Sequence, residues 1–333
     1  LQIGGIASDP EYEFWRVSQV LRASDGRILA ANRGTFQVRS YDRDGTFLSA
    51  FGTEGEGPGE FRSLSRVFLA AGDSILIYDG GLGRVSLFDP AGNYAGQMIL
   101  PSRALGFSVR PRGVLPEGSL LLVGGGATAF STGGDTQIVQ DSLWYMIGDW
   151  GHPKVDTIAR FPESDRYIIS TDQIVGILEP PFARVASTAV HGGEILYGMG
   201  DQYEVQVFTP QGNLRRIMRR ALAARPLTGD QIESYLSPEI PPGEEPPPNW
   251  WSEEERKFDF PTSIPFFDRL LTDNGGYLWV RRVTWPEEGS TLWDIFDPAG
   301  RLLTSLRTPA ELQVHDIGAD YILGVWKDEL EVE

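Results

Sequence analysis

The sequence contains no cysteine, which removes disulfides, thiolate metal ligands and thiol nucleophiles together. Histidine is nearly as scarce, with His152, His191 and His315 as the only three. Lysine is confined to Lys154, Lys257 and Lys327. At a formal net charge of −17, the chain lacks the clustered cations that neutralising a nucleic-acid backbone requires, so nucleic acid is not an expected partner. No run approaches the eighteen or so apolar residues of a membrane-spanning helix, and no transmembrane segment is expected. The G-x-S-x-G elbow, the H-E-x-x-H zinc motif and the P-loop lysine motif are all missing. The opening LQIGG shows no charged-then-apolar leader and begins mid-pattern. Removal of an earlier segment, and with it a periplasmic or secreted location, is the expectation.

What the chain has in quantity is turn chemistry, with 39 glycines and 23 prolines punctuating short β-type runs from end to end. Those runs repeat. One unit is a strand, a tight turn and a second strand, seen in QVRSYDRDGTFLSAF (37–51), RVSLFDPAGNYAGQM (84–98), EVQVFTPQGNLRRIM (204–218) and LWDIFDPAGRLLTSL (292–306), with a degenerate copy at 144–161. Each turn carries a glycine that can supply positive φ between paired strands. A second hairpin precedes each of these: ASDGRILAA (23–31), AAGDSILIYD (70–79), LPEGSLLLVG (115–124), HGGEILYGMG (191–200), TDNGGYLWVRR (272–282) and DIGADYILGVW (316–326). Inner hairpins therefore number six and outer ones five. Units of roughly 45 residues match the length of a propeller blade. The pattern predicts one all-β domain over residues 1–333, a six-bladed β-propeller in which the N-terminal strand Leu1 to Ile6 completes the last blade and leaves no exposed edge.

The run RVSLFDPAGNYAGQM and the blade-ending FGTEGEGPGEF (51–61) resemble NHL-type repeats. The whole chain is similar to the bacterial six-bladed β-propeller proteins of that broad superfamily, many of them exported. The resemblance implies a fold but no single activity, since relatives range from binding scaffolds to lyases, lactonases and other hydrolases.

With strands a to d counted outward from the channel, every a–b and c–d turn is short. Every long insertion falls in a b–c or d–a connection, at Gly124 to Ser142, Pro162 to Ala183, Ala221 to Pro265 and Val283 to Ser290. All four then emerge on one face, where binding is expected. The largest, 222–265, is lid-like. Thr228-Gly229-Asp230-Gln231 reads as a capping box opening a helix to Leu236, followed by a stiff proline-rich stretch and the pair Trp250 and Trp251. Exposed adjacent tryptophans suit a cover over the channel mouth; the same insertion would also serve as a solvated decoration on a blade edge.

Candidate chemistry is of two kinds. Arg16, Arg66, Arg103, Arg184 and Arg269 stand beside the starts of innermost strands, with His315 at the matching place in the sixth blade. Such a ring would hold a carboxylate, phosphate or sulfate by forked hydrogen bonds; alternatively each arginine would bridge to an aspartate of the next blade. Asp79, Asp201 and Asp328 follow apolar b-strands, and Asn32 holds a comparable place. These are oxygen ligands suited to Ca²⁺ near the channel, or else simple turn caps. The histidines fall in different blades and on different faces, so a three-histidine metal site is not expected. Trp144, Trp150, Trp285 and Trp293, together with Trp250 and Trp251, offer faces for sugar rings or for blade packing. The resulting reading is an exported, non-catalytic propeller that binds a small anionic or carbohydrate ligand, or a protein partner, on its long-loop face. The alternative is a lactonase-like hydrolase or lyase using a carboxylate-held divalent cation in the channel.

Overall fold

The computed structural model describes residues 1–5, 9–125, 137–139, 142–150, 155–170, 175–178, 182–236, 260–284 and 289–327. Their blades are five four-stranded antiparallel sheets and one two-stranded hairpin, each meandering outward in chain order. Blade 1 comprises Val17–Arg22, Ile28–Asn32, Gln37–Tyr41 and Phe47–Phe51; blade 2 comprises Leu64–Leu69, Ile75–Asp79, Arg84–Phe88 and Tyr94–Ile99. Blade 3 runs Val109–Val114, Leu120–Gly125, Ser142–Gly148 and Val155–Pro162, and blade 4 runs Ser187–His191, Glu194–Gly198, Glu204–Phe208 and Leu214–Arg219. Blade 5 is Phe267–Thr272, Leu278–Arg282, Ser290–Phe296 and Leu302–Pro309; blade 6 is the hairpin Leu312–Ile317 and Ile322–Trp326. The six inner and five outer hairpins read from the repeat are all present.

Burial follows strand position. The b-strands are the driest, as in Ile28–Asn32 with every residue buried, whereas the d-strand Phe47–Phe51 has none. A b-strand is covered on both faces by adjacent blades, so it reads as a continuous apolar run such as LLLV rather than an alternating one. The apolar side chains fall into six clusters, one for each junction between neighbouring blades. Val17, Val20 and Tyr41 of blade 1 meet Val325 of blade 6 in the cluster that closes the ring.

Among the described residues, Leu1–Gly5 belong to no strand, unlike the expected closing strand; Ile3 packs against the closing cluster, and Ile6 lies outside the described residues. The ring is stitched at its inner edge, where Val20 N–H donates to His315 Nδ1 (3.1 Å) and Arg22 N–H donates to Asp316 Oδ2 (2.8 Å). Because blade 6 shows no outer pair among the described residues, a cavity of about 970 Å³ remains at this junction, lined by Leu1, Tyr41, Leu323 and Trp326 among others.

The segment FGTEGEGPGEF is a joint between blades. Thr53 and Glu54 pair in parallel with Glu60 and Phe61, and Phe61 is fully buried. Arg84 of the next blade gathers the loop through the carbonyls of Glu56, Gly57 and Glu60 (2.7–2.9 Å). Gly52 is obligatory here: its φ is +92°, and a Cβ would lie 2.7 Å from the Phe61 ring and 2.8 Å from the Phe36 carbonyl.

The insertions leave the propeller together. Gln137–Val139, from the b–c insertion of blade 3, pairs with Arg166–Ser170 of the following d–a insertion, which pairs in turn with Val175–Leu178. Two insertions can share a sheet only if they emerge on the same face, as the repeat register required. The largest insertion is pinned at its base by Arg225–Pro226 pairing with Ser263–Ile264. Its capping box forms: Gln231 N–H donates to Thr228 Oγ1 (3.2 Å) and Thr228 N–H donates to Gln231 Oε1 (3.0 Å), opening the helix Gly229–Leu236.

Candidate functional site

Inner strands of blades 1, 2 and 5 share a pattern in which the first and fourth residues are buried and the two between are half-exposed. A β-bulge after the first residue turns the third toward the channel in each: Gln19, Arg66 and Arg269. Side chains at this level also tie blades together. Gln19 Oε1 accepts the Val67 N–H (3.2 Å), and Ser187 Oγ accepts the Leu270 N–H (2.8 Å). His315 Nδ1 does the same for Val20 at the closure. A ring nitrogen that accepts must be unprotonated, so His315 is neutral with its proton on Nε2.

Arg66 and Arg269 carry only donors and cannot play the part that Gln19 plays. Neither has a hydrogen-bond or ion-pair partner among the described residues. Burial, followed by the charges of Arg269 and Arg110, pulls the Arg66 guanidinium below its ordinary range. Arg269 is drawn down to about 10 by burial and by Arg281, with Asp268 opposing. Arg112, also brought to about 10, is pressed by burial, by Arg110 and by Arg66. Its buried Nε has no hydrogen-bond partner. His315 falls to about 4 through burial and the charges of Arg269 and Arg66. Four blades thus bring arginine or histidine side chains into one electrostatic neighbourhood. Glu163, whose carboxylate is bound by Arg166 and lies 3.9 Å from Arg110, is the one acid acting on Arg112.

Several other arginines are paired with carboxylates. Arg184 forks onto Asp165 (2.7 Å on both oxygens), Arg281 onto Asp268 (2.6 and 3.0 Å) and Arg216 onto Glu194 (2.7 and 2.6 Å). Arg220 meets the fully buried Asp294, which also accepts from Tyr203 (2.6 Å). Against that background, the half-buried guanidinium groups of Arg66 and Arg269 stand without an ion-pair partner among the described residues of a chain of net charge −17.

Of the predicted ring, the structure brings together Arg66, Arg269 and His315. Arg184 is committed to Asp165, the bridging alternative. Arg16 is exposed in a left-handed conformation (φ 57°), its guanidinium 5.2 Å from the Trp15 ring. Arg103 is exposed in the short helix Ser102–Leu105, because the crossing into blade 3 coils there before the strand begins. Trp250 and Trp251 lie outside the described residues, as does Trp285. Trp144 is covered by Phe107 and Arg160, Trp150 packs between blades 2 and 3, and Trp293 is buried with its indole N–H on Thr308 Oγ1 (3.2 Å).

Two of the predicted oxygen ligands, Asp79 and Asn32, are engaged by the backbone. Asp79 is wholly buried and spends both carboxylate oxygens on the backbone N–H groups of Arg62, Ser63, Gly81 and Leu82 (2.8–3.1 Å). Asn32, also wholly buried, accepts the Trp15 N–H (3.0 Å) and donates to the Glu13 carbonyl (3.1 Å). Both are caps that fix the incoming d–a crossing. Asp201 is exposed near Arg184, and Asp328 lies outside the described residues. Among the described residues no three His, Asp or Glu side chains group to hold an ion.

Arg110 and Arg112 were not singled out from sequence. Their signal was present in Val109-Arg110-Pro111-Arg112-Gly113, where alternate residues of an inner strand are arginine. The buried, half-exposed alternation of this strand sends both to the same side.

Residues 9–111 match the family model DUF5128, described as a 6-bladed beta-propeller. No curated protein sequence matches the chain significantly. Among solved structures, a candidate exported protein of Bacteroides fragilis superposes with a TM-score of 0.50 at 12% identity, over 93% of this chain and 75% of that one. A DUF4221 family member from Bacteroides vulgatus gives 0.52 at 11% identity, over 91% and 84%. A gluconolactonase from Xanthomonas campestris gives 0.47 at 11% identity, over 92% and 81%. At these identities the likeness is one of fold alone. Repeat, sheet order and matched segment agree that the chain folds as a six-bladed β-propeller.

Proposed function

We propose that the protein is a binding propeller that takes an anionic ligand in its central channel, between Arg66, Arg269, Arg110 and Arg112. The observation that carries this reading is that half-buried Arg66 and Arg269 lack a partner among the described residues, whereas Arg184, Arg281 and Arg216 are forked onto carboxylates. A bound oxyanion would supply the missing counter-charge through forked, charge-assisted bonds in a partly desolvated setting. His315 adds a neutral Nε2–H donor. The insertion 222–265, pinned at its base on the long-loop face, would rim the mouth. Export is the compartment that fits the similar Bacteroides fragilis protein.

The test is thermal melting of the full chain in sodium sulfate against sodium chloride at equal ionic strength. Sulfate stabilises many proteins by exclusion from their surface, so the control is the Arg66→Gln, Arg269→Gln double variant. Wild type is expected to gain several degrees more from sulfate than the variant does, and in chloride the variant should melt at or above wild type because repulsion is relieved. An equal sulfate effect on both proteins refutes the reading.

A further inference from the structure

Resting on that anion-site reading, we infer that the channel selects oxyanions of two charges with oxygens directed to opposite sides: sulfate, phosphate or a dicarboxylate, rather than a monocarboxylate. The argument is geometric. Arg66 and Arg269 hold the same bulge-directed position on the inner strands of blades 2 and 5. In a ring of six those blades lie three steps apart, so their inner strands face each other across the axis. The charge of Arg269 acts on Arg66, and the two share no counter-ion among the described residues. Arg110 and Arg112 on blade 3 likewise lie opposite His315 on blade 6.

A guanidinium binds an oxyanion best by a two-bond fork. A monocarboxylate has one pair of oxygens on one side of its carbon, so forking onto Arg66 leaves Arg269 as it was. A tetrahedral dianion or a short dicarboxylate presents oxygens to both walls at once and answers both charges. Glu163 stands on the blade 3 side, its Oε1 shared by Arg166 and Arg110, so the selection is placed on Arg66 and Arg269, on which it is not among the acting charges.

Isothermal titration of the full chain with sodium acetate, sulfate, inorganic phosphate and succinate, at constant ionic strength and pH 7.5, tests the inference. Sulfate is expected to bind at least about tenfold more tightly than acetate. The ranking of sulfate, phosphate and succinate identifies which source of the dianion fits the span. Arg66→Gln or Arg269→Gln alone should each reduce sulfate to the acetate level, and the second substitution should then add little. Where a glutamine variant does not fold, Arg66→Lys replaces it. That variant keeps the charge but cannot fork two oxygens, and it should lose the same preference. Acetate binding as tightly as sulfate overturns the inference while leaving an anion site in place, as does full retention of the preference in Arg66→Lys. The absence of heat with all four anions overturns the underlying reading as well.

Discussion

His315 gives the most exacting check on the channel electrostatics. In the folded chain its imidazole is held neutral, with a pKa brought from 6.5 down to about 4, while Nδ1 accepts the Val20 N–H that closes the ring. Around it stand Arg66 and Arg269, and the neighbouring Asp316 is already engaged by the Arg22 N–H and the Tyr321 hydroxyl (2.9 Å). The sign follows from linkage. With a folded pKa below the unfolded one, the stability tied to the neutral ring is complete above about pH 6.5. It is lost as pH falls through the window down to about 4, because only the unfolded chain takes up the proton. At pH 5 the loss is about 2 kcal/mol from this residue alone, against a small fraction of that at pH 7.5. The matching variant is His315→Gln, whose amide oxygen can still accept from Val20 but does not titrate. Urea unfolding of both proteins at pH 7.5 and pH 5.0, in chloride buffers free of multivalent anions, isolates the term. The carboxylates that titrate in both proteins cancel in the comparison. The variant is expected to gain about 2 kcal/mol on wild type between the two pH values. If the two proteins lose stability in parallel, the neutral, charge-pressed His315 described above is wrong. Adding sulfate should shrink the difference, because a dianion beside Arg66 and Arg269 raises the imidazole pKa.

Two further predictions address the scaffold. Asp79→Ala removes the acceptor of four backbone N–H groups at the crossing and should cost about 2–3 kcal/mol by urea unfolding. The melting temperature of wild type should not respond to calcium or a chelator if Asp79 acts as a cap, and a calcium-dependent rise that Asp79→Ala abolishes would reverse that assignment. Phe267→Ala empties a fully buried position at the blade 4–5 junction, where the ring packs on Tyr203 and covers Gly198. It should cost about 3–5 kcal/mol, and a loss under about 1 kcal/mol would mean that the junction repacks freely.

The propeller was legible because it is a local pattern repeated. Apolar b-strands, acid-glycine turns and the confinement of length to two kinds of connection are properties of short windows, and each recurs often enough to phase the blades. The capping box at Thr228 and Gln231 was legible for the same reason, since both partners lie within one helical turn. The closure was only half legible. The count of hairpins placed the gap in blade 6, but whether Leu1–Gly5 would enter its sheet depended on packing against Tyr41 and Val325, more than three hundred residues away for the latter.

The candidate site divides the same way. Sequence position alone put Arg66, Arg269 and His315 at the channel, because the repeat carries any residue of a given phase to the same place in its blade. It could not separate them from Arg184, which has the same phase but finds Asp165 within reach, nor from Arg16 and Arg103, whose connections turn outward before the strand begins. Nor could it show that Asp79 and Asn32 face inward to the backbone instead of outward to an ion. Whether a charge is paired is decided by atoms within about 4 Å of it, and in a ring of six blades those atoms come from distant parts of the chain. The order of residues determined where each blade begins and which face bears the long loops; only the closed ring decided which arginines are left without a partner.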